Sequence, residues 1–416
     1  MVQRDRCNSL TQESSAGIPS TSLRAGFAGC REGVSPSTRR AGRPPDSRRD
    51  GGATKTKLLE SPAMQKRFGF VLLILLAGFL FAEEPVKFDP LPVPATNNAV
   101  TSVKSRGSLL IYSLMGMGAK KTWDAVSNAA YTLDPYTGKW AEMHSVPGTV
   151  GRLAATAVGA REHVFLFGGY VVDGQGGENT LPDVNVYEPL TDRWFRAEDL
   201  PVAVDDSVAG VYRDRYIYIV SGWSKTDAVN NVQLYDAQKN KWSQATPIPG
   251  TPVFGHAGAV VGDTIVYIDG AHKNASGAQP KYITTDECWM GKIDHHDLTK
   301  IQWTKLPSHP GAARYRIAAG GSEKDQKIYF SGGTDNPYNY NGIGYNGEPA
   351  EPSPVTFAFN LRSSKWETIN LHTPQPTMDH RGLVVVPEGL VIMGGMEKGQ
   401  QVTSRVTILP KPGKTK

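Results

Sequence analysis

Cysteine is almost missing from this sequence. Cys7, Cys30 and Cys288 are all it has, and only Cys288 lies beyond the N-terminal leader, so no internal disulfide can staple the folded part. Long apolar runs are also scarce: the run at residues 68–81 covers fourteen positions, short of the about 20 that a membrane-spanning helix needs. Charge of either sign is modest at 20% of residues. The net charge of +5 is concentrated in the leader, in stretches such as Ser35 to Arg49 and Lys66-Arg67. From Glu83 onward the chain is close to neutral or slightly acidic, which excludes a nucleic-acid-binding surface as the reading of its basic pI. There is no phosphate-cradling loop, no paired-thiol metal signature and no Ser/His/Asp nucleophile motif. No metal and no organic cofactor is therefore expected.

The first 82 residues differ from the rest. Residues 1–63 are rich in Arg, Ser, Gly and Pro without apolar clustering, too little to bury a core, and read as a disordered extension or the product of a mis-assigned start. Met64-Gln-Lys-Arg67, the apolar run and Ala82 before Glu83-Glu84-Pro85 have the layout of a secretory signal peptide over residues 64–82. The expected mature chain is 83–416, periplasmic or secreted, with no stable membrane span after cleavage. A membrane anchor with a basic tail is the alternative.

What is abundant is repetition. An apolar strand ending in a pair of small residues recurs, closing at Met115-Gly116, Gly168-Gly169, Ser221-Gly222, Asp269-Gly270, Gly332-Gly333 and Gly394-Gly395. After each of the first five, a second apolar strand leads through an Asp, Asn or Pro turn to a tryptophan: Trp140, Trp194, Trp242, Trp303 and Trp366. Spacings of about 50–60 residues match the kelch period. Each repeat makes a four-stranded sheet too small to bury both faces, so it must stack on its neighbours, and a closed ring leaves only short edges exposed. The expected fold is all-β: a six-bladed kelch-type β-propeller. The sixth repeat ends at Val402 to Ile408 with no Trp strand after it, so its outer strand is expected from Val86 to Leu91, closing the ring by pairing the N- and C-terminal strands.

In such a blade the start of the inner strand and the end of the second strand share one face. Polar residues recur at the first place: Asn97/Asn98, Arg152, Asp205/Asp206, His256, Arg314/Arg316 and Asp379-His380-Arg381. Long inserts recur at the second, at 170–183, 271–286 and 334–354. Convergent polar groups and long loops mark that face as the candidate site. His256 is a candidate acid or base because imidazole titrates near neutrality, and Asp206 is a candidate base. Arg152, Arg316 and Arg381 suit an anionic group, with His380 beside them. The Tyr-rich insert, with Tyr340 and Tyr345, offers flat rings between amides, which suits a sugar. Each has a bland reading: arginines bonding carbonyls around the channel, a hydrogen-bonded histidine, Asp as a turn residue. His295-His296-Asp297 looks metal-like but falls in a turn between outer strands.

Leu91-Pro-Val-Pro94, Pro182 to Pro189 with Trp194, Phe330-Ser-Gly-Gly-Thr334 with Asn339 to Tyr345 and Glu348, and Gly394 to Val406 together resemble the bacterial sialate mutarotases, periplasmic six-bladed kelch proteins. The resemblance implies interconversion of the anomers of a sialic-type sugar without a cofactor, with an arginine on the sugar carboxylate; Arg152 and Arg381 match arginines that open the family's second and sixth repeats. The position of the family's proposed catalytic Glu is occupied by Ala271, with His272, Lys273 and Lys281 nearby, so His256 with His272 or Asp206 would share the acid and base roles, and Lys281 would assist binding. A non-catalytic propeller holding a glycan or a protein partner on its loop face stays open beside this.

Overall fold

The computed structural model describes residues 87–412, which belong to one compact unit. The leader and signal-peptide expectations lie outside the described residues. Six sheets succeed one another along the chain as blades I to VI, five with four antiparallel strands and the sixth with three. Blade II is typical: Thr156–Ala160 is innermost, then His163–Phe167, Val184–Glu188 and Arg193–Arg196 at the rim.

The residue pattern follows from position in the wedge. Inner strands converge on the axis and carry small side chains. A Cβ on Gly159 would meet the Ser102 carbonyl of the neighbouring inner strand at 2.1 Å, so only glycine fits there. Second strands are buried on both faces and read as unbroken apolar runs, such as Thr264–Ile268 with every residue buried. The first residue of each small pair is left-handed, with φ between 53° and 73° at Met115, Gly168, Ser221, Asp269, Gly332 and Gly394. This turn ends the strand at the loop face in blades II to VI, whereas in blade I it is a bulge and the strand runs on to Met117.

At the rim, each tryptophan fills the gap to the preceding blade and donates its indole N–H to a main-chain carbonyl just past that blade's outer strand. Trp194 donates to His144 O (2.8 Å), Trp242 to Glu198 O (2.9 Å), Trp303 to Thr246 O (3.3 Å) and Trp366 to Pro307 O (2.8 Å). Trp140 of blade I donates to Asp89 O at 2.9 Å, which puts the N-terminal segment in the place that an outer strand of blade VI would leave. Leu91 N donates to Ser404 O and Ala95 N to Thr403 O, while Phe88 and Leu91 pack on Val391, Met393 and Ile408. The two ends of the chain thus close the ring. Residues 87–91 form no continuous ladder, because Pro90, Pro92 and Pro94 have no N–H to donate.

Beyond the small pairs, short hairpins rise from the loop face: Tyr170–Val172 with Glu178–Thr180, Trp223–Ser224 with Asp227–Ala228, Ala271–Lys273 with Tyr282–Thr284, and Met396–Glu397 with Gln401–Val402.

Candidate functional site at the axis

Six residues, one per blade, stand just before the inner strands in the left-handed conformation: Asn97, Ala154, Asp206, Gly255, Arg316 and Asp379, with φ from 50° to 71°. They are hydrogen-bonded into a ring. Asp206 N donates to Ala154 O, Gly255 N to Asp206 O, Arg316 N to Gly255 O, His380 N to Arg316 O and Asn97 N to Asp379 O, at 2.7 to 3.2 Å. Ala154 N completes it on the Asn97 Oδ1 at 2.6 Å.

Charged side chains lock the ring. The Arg316 guanidinium grips Asp206 through Nε (3.2 Å) and Nη2 (2.7 Å) and gives Nη1 to Asp379 Oδ1 (2.8 Å). Arg381 pairs through Nη1 with Asp206 Oδ1. Asp379 also accepts from Thr96 Oγ1 (2.7 Å), Asn97 Nδ2 (3.0 Å) and the Tyr338 hydroxyl (3.1 Å), and Asp206 accepts from the Tyr315 hydroxyl (3.1 Å). All four charged side chains are at most 3% exposed. Burial acts to raise the Asp206 pKa, but Arg316 and Arg381 hold it below the ordinary carboxylate value. Burial likewise opposes the Arg316 charge, but Asp206 together with Tyr315, Asp379 and Tyr170 outweighs it and raises that pKa.

The ring divides the axis into two spaces that share no lining residue. Above it, at the mouth, is a pocket of about 50 Å³ lined by Tyr170, Glu178, Asp205, Trp223, Tyr340 and Tyr345 among others. Trp223, Phe254, Tyr282, Tyr315 and Tyr338 interlock edge to face around it, with ring centroids 5.2 to 5.6 Å apart, a favourable aromatic geometry. Below it, the channel is a cavity of about 280 Å³ between the inner strands.

The sequence-derived candidates fall into three groups. Asp206, Arg316 and Arg381 meet in the ring. Tyr340 and Tyr345 reach the mouth pocket with Asp206 and Arg316, and Tyr345 stacks edge-on against Tyr282 at 4.5 Å. His256, His380 and Arg381 line the channel below. His256 Nε2 lies 3.0 Å from Val220 O and His380 Nε2 lies 2.9 Å from Thr377 Oγ1; burial lowers both imidazoles to about 4, so both are neutral near pH 7. The rest stand apart. Arg152 binds Asn185 Oδ1 (2.8 Å), with its pKa lowered by burial to about 10. His272, on the Ala271–Lys273 strand, turns Nδ1 to Lys273 O (2.9 Å), and the exposed Lys281 lies over the Tyr282 ring at 5.1 Å. His295 sits in its turn between Tyr212 OH (2.9 Å) and Asp263 Oδ2 (3.1 Å), and no group of three His, Cys, Asp or Glu able to hold a metal occurs among the described residues.

Two carboxyls at the mouth matter more than their place in the sequence suggests. Asp205 accepts from Thr180 Oγ1 at 2.6 Å, and burial, then the neighbouring Asp206, push its pKa well up. Glu178, on the hairpin rim and open to solvent on its outer side, is also raised by desolvation. Asp205 stands among the polar residues before the inner strands, whereas Glu178 is marked in the sequence only by its place in the 170–183 insert.

A model of the KLHDC2/KLHL20/DRC7 Kelch-repeats domain matches residues 98–333. The chain belongs to the kelch-repeat family. This kelch chain is 31% identical to Kelch-like protein 15 of Gallus gallus over 113 residues, 27% of this chain and 22% of that protein. It is 25% identical to Kelch-like protein terF of Aspergillus terreus over 248 residues, 56% of this chain and 48% of that protein. The chain thus spans about a fifth to a half of the length of these curated relatives. Among solved structures, that of YjhT superimposes with a TM-score of 0.62 at 19% identity, covering 79% of this chain and 98% of that one, a likeness of fold.

Proposed function

We propose that this kelch propeller is a binding module whose loop face docks a protein partner, and that it does not turn over a sugar. The observation that carries this is the state of the mouth. The carboxylates of Asp206 and Asp379 are already engaged by the guanidinium of Arg316, and Arg381 adds a further pair to Asp206. The pocket they leave is about 50 Å³, against the about 300–1,000 Å³ of ordinary ligand pockets. Around it the loop face presents apolar surface: Trp123 is 49% and Ile343 37% exposed. Trp123 lies beside the hairpin that carries Gly174, and the Tyr340 hydroxyl beside Gly176 of the same hairpin. Exposed aromatics above a rigid scaffold are the usual anchors of protein interfaces. Export through the apolar run at 68–81 remains part of the proposal.

The sugar reading has one specific observation in its favour. Asp205 and Glu178 face a tyrosine-lined pocket, both with pKa raised by burial, and a carboxyl beside a hemiketal is proton-transfer chemistry suited to ring opening.

The test places a photo-crosslinking amino acid at Tyr340 on the loop face or at Tyr136, 69% exposed on the opposite face, in cells that express the protein. A protein adduct from position 340 and none from 136 is expected, and an adduct from 136 alone would overturn the loop-face assignment. In parallel, exchange NMR on the anomers of N-acetylneuraminate is expected to show no acceleration. Acceleration proportional to protein, lost in Asp205→Asn, would replace the binding reading with the catalytic one.

A further inference from the structure

The channel below the ring holds polar groups that the fold leaves unpaired. Arg381 uses Nη1 on Asp206, but its Nε and Nη2 have no partner although the side chain is only 2% exposed. Those two N–H groups share one edge of the guanidinium and run parallel, the arrangement that grips two oxygens of a carboxylate or phosphate side-on. His256 lines the same cavity. Its Nε2 is 3.0 Å from the Val220 carbonyl, which can only accept, so Nε2 carries the ring proton. Nδ1 of the neutral imidazole is then a bare acceptor, and it too is buried without a partner. Buried donors and acceptors of this kind favour a partner of matching chemistry.

We propose that the ring end of the channel binds a small oxyanion that keeps a proton of its own. Two of its oxygens accept from Arg381 Nε and Nη2, and its hydroxyl donates to His256 Nδ1. Hydrogen-bearing phosphate and bicarbonate have this pattern; sulfate at neutral pH has the oxygens but lacks the proton. Asp206 and Asp379 already balance Arg316 and Arg381, so a singly charged ligand fits better than a more highly charged one. The cavity of about 280 Å³ has room for it with several waters. Because the ring closes the loop-face end, the ligand enters from the opposite face, and this site is independent of the docking surface proposed above.

The experiment titrates the purified full-length chain with inorganic phosphate at pH 6.5, where the monoanion predominates, by calorimetry and thermal unfolding, with sulfate as the proton-free control. Saturable one-to-one binding is expected, with a higher melting temperature in phosphate and about tenfold weaker binding of sulfate. Arg381→Lys keeps a cation against Asp206 but removes the parallel edge, and is expected to abolish phosphate binding. His256→Leu, which leaves the ion pairs untouched, is expected to bring phosphate down to the sulfate level. No saturable phosphate binding by wild type, unchanged affinity in folded Arg381→Lys, or preserved preference for phosphate in His256→Leu would each overturn the assignment.

Discussion

Two rings hold this propeller together, each drawing one residue from successive blades, and they are built in opposite ways. The outer ring repeats a residue: Trp140, Trp194, Trp242, Trp303 and Trp366 each donate to the preceding blade's exit. The inner ring repeats a conformation: Asn97, Ala154, Asp206, Gly255, Arg316 and Asp379 share only a left-handed φ. Where wedge packing decides, the same bulky side chain is needed every time. Where the main chain makes the bonds, side chains are free to differ, and charge collects there.

The largest effect is expected from breaking the inner ring's charge. Arg316→Met leaves Asp206 and Asp379 buried without their main partner, and a loss of about 3–5 kcal/mol is expected in chemical denaturation. At the outer ring, Trp366→Ala removes a ring packed among Phe330, Phe357, Phe359 and His309 and is expected to cost about 3 kcal/mol. Trp366→Phe keeps most of the packing and loses the bond to Pro307 O, for about 1 kcal/mol. A phenylalanine variant as damaging as alanine would show that the bond, not the wedge, dominates the rim.

Acid sharpens the contrast, since the outer ring has no titratable member and the inner ring is flanked by His256 and His380. His256 is surrounded by Val220 O, Arg381 and Asp206, and His380 by Asp379, Arg381 and Thr377. Both imidazoles are lowered from 6.5 to about 4 on folding, so the unfolded chain takes up protons first as pH falls. Their contribution is complete above pH 6.5 and is lost between there and about 4, at about 1.4 kcal/mol per pH unit for each histidine. Melting temperatures at pH 7, 6 and 5 should fall accordingly, with a shallower slope in His256→Leu. The smallest effect is expected from Ala154→Gly, which relieves a left-handed alanine but deletes a buried methyl, for a net change within about 1 kcal/mol.

The same contrast explains what the sequence could reveal. Small pairs, tryptophans and their period gave the blades and the place of closure, because packing in a wedge leaves a residue-level signature. Polar residues before the inner strands were legible as convergent, and Asp206, Arg316 and Arg381 do meet. Their mutual pairing was not legible, since it depends on which blades face across the axis, as in the contact of Arg316 with Asp206 and Asp379. Nor did the sequence separate His256 and His380, below the ring, from Tyr340 and Tyr345 above it. One step along an inner strand decides that side, and the left-handed residues that set the step include alanine, arginine and aspartate.

The join between blades VI and I has a consequence for how the molecule comes apart. Hairpins within each blade connect near neighbours in the chain, whereas the bond from Thr96 to Asp379 joins residues 283 positions apart. Contacts so remote in sequence form late and carry the highest entropic cost of closure. That join acts as a buckle: under tension between residues 88 and 409, it should release first, opening the circle into an arc whose remaining blades keep their own strand pairing.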